Sequence, residues 1–173
     1  MYNLDMTNFC FKGFREFFSK EIPYSNISRY ICSGVMLMNL KLLRQYQSFQ
    51  KITKYYYFLT TKGLYYHDQL LINALFTDKI GFLPAKYGIF QINHKYIEAC
   101  KKKRPLIYNK FQLINANKKP IIRHIFGKIP SKPWLTEGNY QIKDEWNYYA
   151  NKTGYYSLIC KFFKNACVNV KFN

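Results

Sequence analysis

Apolar and polar positions along this chain change period in a way that marks out elements. Residues 33–39, Ser-Gly-Val-Met-Leu-Met-Asn, are a continuous apolar run behind a glycine, the pattern of a strand buried on both faces. From Leu40 to Leu59 the spacing turns helical. Leu40, Leu43, Ile52, Tyr56 and Leu59 can share one face, with Lys, Arg and Gln between them, and Gly63 closes the unit. In the next segment Asp68, Leu71, Ile72, Leu75 and Phe76 fall at i, i+3, i+4, i+7 and i+8, which predicts a second helix. Residues 79–88 read as a short strand ended by Pro84 and a turn at Gly88. A mostly polar helix over 93–104 stops at Pro105, and a short helix follows over 108–117. Pro120 then opens a strand that carries His124 at its end. Beyond Trp134, Ile142, Trp146, Tyr149 and Ala150 form one helical stripe. After Gly154, Tyr155, Leu158, Ile159, Phe162, Phe163 and Ala166 form another. Strands alternating with helices place the chain in the α/β class. The three or four strands are fewer than a free-standing doubly wound domain carries, so the chain reads as the second half of a larger α/β unit.

Composition narrows the class. The chain has 173 residues, 49% hydrophobic and 20% aromatic, which excludes disorder and suffices for one core. The 27 basic and 9 acidic residues give a net charge of +18. That excess suits an anionic partner: nucleic acid, a phosphorylated substrate or an anionic membrane surface. The abundance of Lys, Asn, Ile, Tyr and Phe is also what AT-rich coding produces, so the charge has a compositional source as well. The five cysteines are irregularly spaced, with no Cys-x-x-Cys pair, which argues against a zinc site and for reduced thiols. Sequons at Asn26 and Asn151 have no secretory context. The N-terminus lacks the basic-then-apolar pattern of a signal peptide. No run approaches the ~20 apolar residues of a membrane span. The expectation is a cytoplasmic protein, soluble or peripheral to the inner face of the membrane.

Two groups of residues can carry chemistry. Asp68 and Gln69 open a predicted helix. An Asp there stabilises the helix terminus; equally, a carboxylate beside an amide supplies the acceptors and donors that sugar hydroxyls need. His124, Gly127 and Lys132 follow a predicted strand. Such a histidine is often structural, but strand ends are where α/β proteins place ligands. Gly127 permits close backbone approach to phosphate oxygens, Lys132 supplies a point charge, and a neutral imidazole can ligate a metal. The basic run Lys101–Arg104 suits a solvated helix end, and no nucleic-acid motif stands beside the aromatics.

The stretches YICSGVMLMNLKLLR, HDQLLINALF, IGFLPAKYG and IIRHIFGKIPSKPW resemble, in order and spacing, glycosyltransferase family 8, which includes lipopolysaccharide galactosyl- and glucosyltransferases and has the glycogenins as relatives. The resemblance covers about Tyr2 to Trp134. It implies a GT-A fold, with residues 1–135 as a partial catalytic domain and 136–173 as its C-terminal helical extension. It implies transfer of a hexose from a UDP-sugar to a glycan or lipopolysaccharide-type acceptor with retention of configuration, and a divalent metal, typically Mn²⁺, on the donor diphosphate. By the same resemblance His124 is a metal ligand, and Gly127 and Lys132 contact the diphosphate. Ser33 and Gly34 belong to the donor-binding Asn-Ala/Ser-Gly motif. Asp68 holds sugar hydroxyls, and Gln69 lies near the anomeric carbon.

The departures from the family pattern are as specific. The aspartates are Asp5, Asp68, Asp78 and Asp144, and none form the Asp-x-Asp of the family's metal site. A hard cation prefers carboxylate oxygens to a lone imidazole. Cys32 stands where the family carries Asn, and Leu70 replaces a frequent Asp. The expectation is a C-terminal portion of the enzyme, weakly active or inactive alone. The aromatic, basic C-terminal segment suits either core packing or contact with an anionic membrane surface. A non-enzymatic, basic nucleic-acid- or membrane-binding module is the alternative. It accounts for the charge but not for four ordered motifs.

Overall fold

The computed structural model describes residues 3–16, 29–88, 107–125, 140–158 and 161. The helix expected over 93–104, Gly127, Lys132 and most of the last apolar stripe lie outside them. The chain divides into two compact units, Met1–His124 and Ile125–Asn173.

The first unit is built on a three-stranded sheet of order β2-β1-β3. The central strand β1 (Phe11–Arg15) runs antiparallel to β2 (Ile31–Met38) and parallel to β3 (Ile80–Phe82). Gly13 is what lets β1 and β2 close: a Cβ there would sit 2.9 Å from the Ile31 side chain. The pairing slips between Gly13 and Arg15, a bulge beside the site described below. Cys10, Phe11, Ile31, Ile72, Phe76 and Ile80 form the core, with Phe11 edge-to-face on Phe76 at 5.3 Å. β1 is the strand the sequence pattern did not reveal.

The apolar run at 33–39 is not buried on both faces. Within β2 only Ile31 and Cys32 are buried, because β2 is the sheet's edge and neighbouring side chains cover only its first residues. The helix expected over 40–59 is two: α1 (Leu40–Gln45), capped by the Asn39 side chain on Leu42 N–H at 3.1 Å, and α2 (Ser48–Thr61). They part at Gln47, whose φ of 49° is left-handed. The helix α3 (Asp68–Leu75) forms as its spacing predicts, with Leu71, Ile72 and Asn73 buried. A 3-10 turn at Ala85–Tyr87 follows β3. The helix α4 (Lys110–Lys118) opens on a reciprocal capping box between Asn109 and Gln112.

No strand extends from Pro120 to His124; a single bridge residue, Arg123, stands in bent backbone. The cause is local. Ile121 and Ile122 both donate their N–H to the one carbonyl of Lys86, at 2.8 and 3.1 Å, which folds the segment around the 3-10 turn instead of laying it along a ladder. Arg123 is turned back on Asn117 Oδ1 at 3.1 Å.

The second unit contains α5 (Tyr140–Asn151) and a turn at Gly154 with φ 73°. Ala150 is buried, but Tyr149 is exposed and does not join the expected stripe. Trp146 instead meets Tyr156, ring centres 6.3 Å apart. No helix among the described residues is long and apolar enough to cross a membrane.

Candidate active site

The first turn of α3 lies along the open edge of β2, and amide side chains join them. Asn73, fully buried, accepts the Ile31 N–H on Oδ1 at 2.7 Å and donates Nδ2–H to Ile31 O at 2.8 Å. One turn earlier, Gln69 accepts the Ser33 N–H on Oε1 at 3.0 Å. Gln69 Nε2 donates to the Glu16 carboxylate and, at 3.4 Å, to the Tyr30 hydroxyl. Nδ2 of Asn73 also donates to the backbone carbonyl of Gln69 at 2.6 Å, so the Asn73 side chain is tied to its own helix as well as to the strand. Gln69 therefore has a single orientation, fixed from three sides.

Asp68 sits at the exposed start of the same helix, where its carboxylate takes no hydrogen bond from a described residue. It does not cap the helix; the N-cap is His67, also without a side-chain cap bond. Next along β2, Gly34 touches the third motif. A Cβ built at position 34 would fall on the Nε2–Cε1 edge of the His124 imidazole. The absence of a side chain at Gly34 is what admits the ring. Ser33 and Gly34, Asp68 and Gln69, and His124, which are far apart in the chain, thus meet at one end of the sheet.

The sequence model of the family described as Glycosyl transferase family 8 matches residues 2–138. The chain belongs to glycosyltransferase family 8. No curated protein and no solved structure matches it. Its α/β architecture, a small sheet flanked by helices, is that of part of a GT-A-type fold, and family membership makes the protein a glycosyltransferase.

The electrostatics of this cluster are those of part-buried groups in a basic chain. Burial raises the Glu16 carboxyl above its ordinary range, and the Gln69 N–H donated to it offsets part of that rise. Burial likewise raises the Cys32 thiol, with smaller contributions from the charges of Glu16 and Asp68, so position 32 presents a neutral thiol. Tyr30 is raised by burial, against the Gln69 hydrogen bond.

Family 8 enzymes generally use a divalent metal and a nucleotide sugar. The described residues do not fit a complete metal site: no group of three His, Cys, Asp or Glu side chains converges among them. His124 is the sole expected ligand that they contain. Sequence reasoning missed Glu16, Tyr30 and Asn73. Asn73 had a visible signal, a polar residue four places after Gln69 within an apolar helix face. Glu16 had none beyond being an acid in a basic chain.

Proposed function

We propose that the cluster of Ser33, Gly34, Asp68, Gln69 and His124 is the donor-sugar side of a retaining hexosyltransferase that uses a UDP-sugar. The observation that carries the reading is the seating of His124 on Gly34 while Gln69 is held by Ser33 of the same strand. An exposed carboxylate beside a fixed amide suits sugar hydroxyls, which both donate and accept. In transfer, the anomeric C1–O bond to the diphosphate breaks and its electron pair leaves on the diphosphate oxygen. The acceptor oxygen bonds C1 on the same face and its proton passes to the departing diphosphate. Positive charge grows at C1 meanwhile. The Gln69 carbonyl can stabilise it: the Ser33 N–H holds Oε1 at 3.0 Å, while the Ser33 hydroxyl reaches it only at 3.5 Å and can rotate away to free the second lone pair. The Glu16 carboxylate, drawing on the amide N–H, makes that oxygen more electron-rich.

No step is routed through a metal here, and, because the sequence carries no Asp-x-Asp, turnover by this chain is expected to be low. The test pairs binding with turnover. Saturation-transfer NMR with UDP-glucose and UDP-galactose should show contact with the hexose ring, lost in Asp68→Asn. UDP release with Mn²⁺ should be slow. Absence of hexose contact with either donor defeats the donor-site reading, and rapid release defeats the low-turnover expectation.

A further inference from the structure

A cavity of about 920 Å³ lies between β3 with its following 3-10 turn and the helix α4. It is within the size range of small-ligand sites. Three lysines line it from two elements, Lys86 from the turn, its Nζ 5.4 Å from the Tyr87 ring centre, and Lys118 and Lys119 from the end of α4, and no carboxylate lines it among the described residues. Gln112, whose Oε1 is held by the Asn109 N–H of the capping box, adds its amide N–H to the wall, and Asn115 adds an amide donor and acceptor. Ile107 and Ile121, both exposed, add the apolar surface that a sugar's C–H face needs. The buried Tyr108 hydroxyl in the wall is already satisfied: it donates to Leu83 O at 2.6 Å and accepts the Arg15 N–H at 3.2 Å.

The wall of the cavity is linked through short stretches of chain to the cluster around Gln69. Arg15, on the Tyr108 hydroxyl, precedes Glu16, which holds Gln69. Ile121, tied to Lys86 O, lies three residues before His124, which sits on Gly34. A transferase needs a second substrate beside the first. We propose that this cavity binds a phosphate-bearing saccharide, its phosphate held by Lys86, Lys118 and Lys119 and its hydroxyls by Gln112 and Asn115. That this ligand is the acceptor rests on the donor-site reading above; that the cavity binds it does not.

The probe is glucose 6-phosphate, titrated by ³¹P NMR, with inorganic phosphate and unphosphorylated glucose as separate arms. Glucose 6-phosphate should bind at least about tenfold more tightly than either, since both halves of the site contribute. Lys86→Gln should weaken binding about tenfold, as expected for a charge-assisted bond, and Lys86→Gln/Lys118→Gln/Lys119→Gln should abolish it. A variant of equal charge loss at exposed positions elsewhere, Lys41→Gln/Lys54→Gln/Lys62→Gln, should leave it within about twofold, because distant exposed charges are screened. Equal losses in the two triple variants, or phosphate binding as well as the sugar phosphate, would reduce the site to general charge and overturn it. Displacement of glucose 6-phosphate by UDP would assign the cavity to the donor and also overturn it. Donor binding is measured on the same preparations. If it fails while glucose 6-phosphate still binds, the acceptor role falls with the donor-site reading and the cavity's ligand stands.

Discussion

The contact that assembles the site can be tested by filling the space it depends on. In Gly34→Ala, the new Cβ would overlap two ring atoms of His124, closer than nonbonded atoms approach, so the ring or the strand must move. Backbone strain adds nothing, because Gly34 is not among the glycines with positive φ. Overpacking costs about 1–3 kcal/mol. Gly34 is exposed and His124 only half-buried, so the ring has somewhere to go and the low end, about 1 kcal/mol, applies. For a chain of this size that is about 2–4 °C in Tm. In a His124→Ala background the same Cβ enters vacated space, and the loss of unfolded-chain entropy on replacing glycine should make the change neutral or stabilising by about 0.4–1 kcal/mol. The coupling energy of the cycle is therefore about 1–2 kcal/mol. Urea denaturation of the four proteins measures it. Additivity to within about 0.5 kcal/mol, whether both single changes are costly or neither is, would show that His124 does not rest on Gly34 in solution.

Two further perturbations probe the parts that sequence reading missed. Asn73→Ala strands the N–H and C=O of buried Ile31, at about 1–3 kcal/mol for each group left unpaired. A urea-derived loss of about 2–5 kcal/mol is expected, and one below about 0.5 kcal/mol would refute the clamp. Glu16 gives a pH signature. Its folded pKa is raised by burial, so the folded state binds the proton more tightly than the unfolded state. Its contribution to stability is then full below the ordinary carboxylate pKa and is lost as pH rises through the folded value. Relative to Glu16→Gln, the wild type should lose stability on going from pH 4 to pH 7; parallel urea midpoints across that range would contradict the burial of the carboxylate.

The helix α3 and the short strand β3 were legible because their signals are local. The i, i+3, i+4 spacing of Asp68 to Phe76 and the Pro84–Gly88 punctuation survive in the structure. The meeting of Ser33–Gly34, Asp68–Gln69 and His124 was legible only through the family resemblance. β1 was not legible, because Phe-Lys-Gly-Phe-Arg is five residues with a glycine at its centre, and its role as central strand comes from partners distant in sequence. The break at Gln47 was hidden because no Gly or Pro marks it; the left-handed residue there is a glutamine. The strand expected from Pro120 failed for a tertiary reason, the capture of Ile121 and Ile122 by the Lys86 carbonyl. The double burial expected of residues 33–39 failed because an apolar run reports hydrophobicity but not position in a sheet, and β2 is an edge.

The pairing of α3 with β2 works like a vernier between two unlike rulers. Gln69 and Asn73 are four residues apart on a helix, about 6.0 Å along its axis. The backbone groups they grip, at Ser33 and Ile31, are two residues apart on a strand, about 6.6 Å. Two marks coincide to within a flexible side chain's tolerance; a slip of one residue on either ruler loses both. The helix is thereby indexed along the strand, and the backbone of Asp68 inherits its place beside the strand although no described residue hydrogen-bonds its carboxylate. An insertion or deletion inside 31–33 or 69–73 would disable the site more surely than most point substitutions at it.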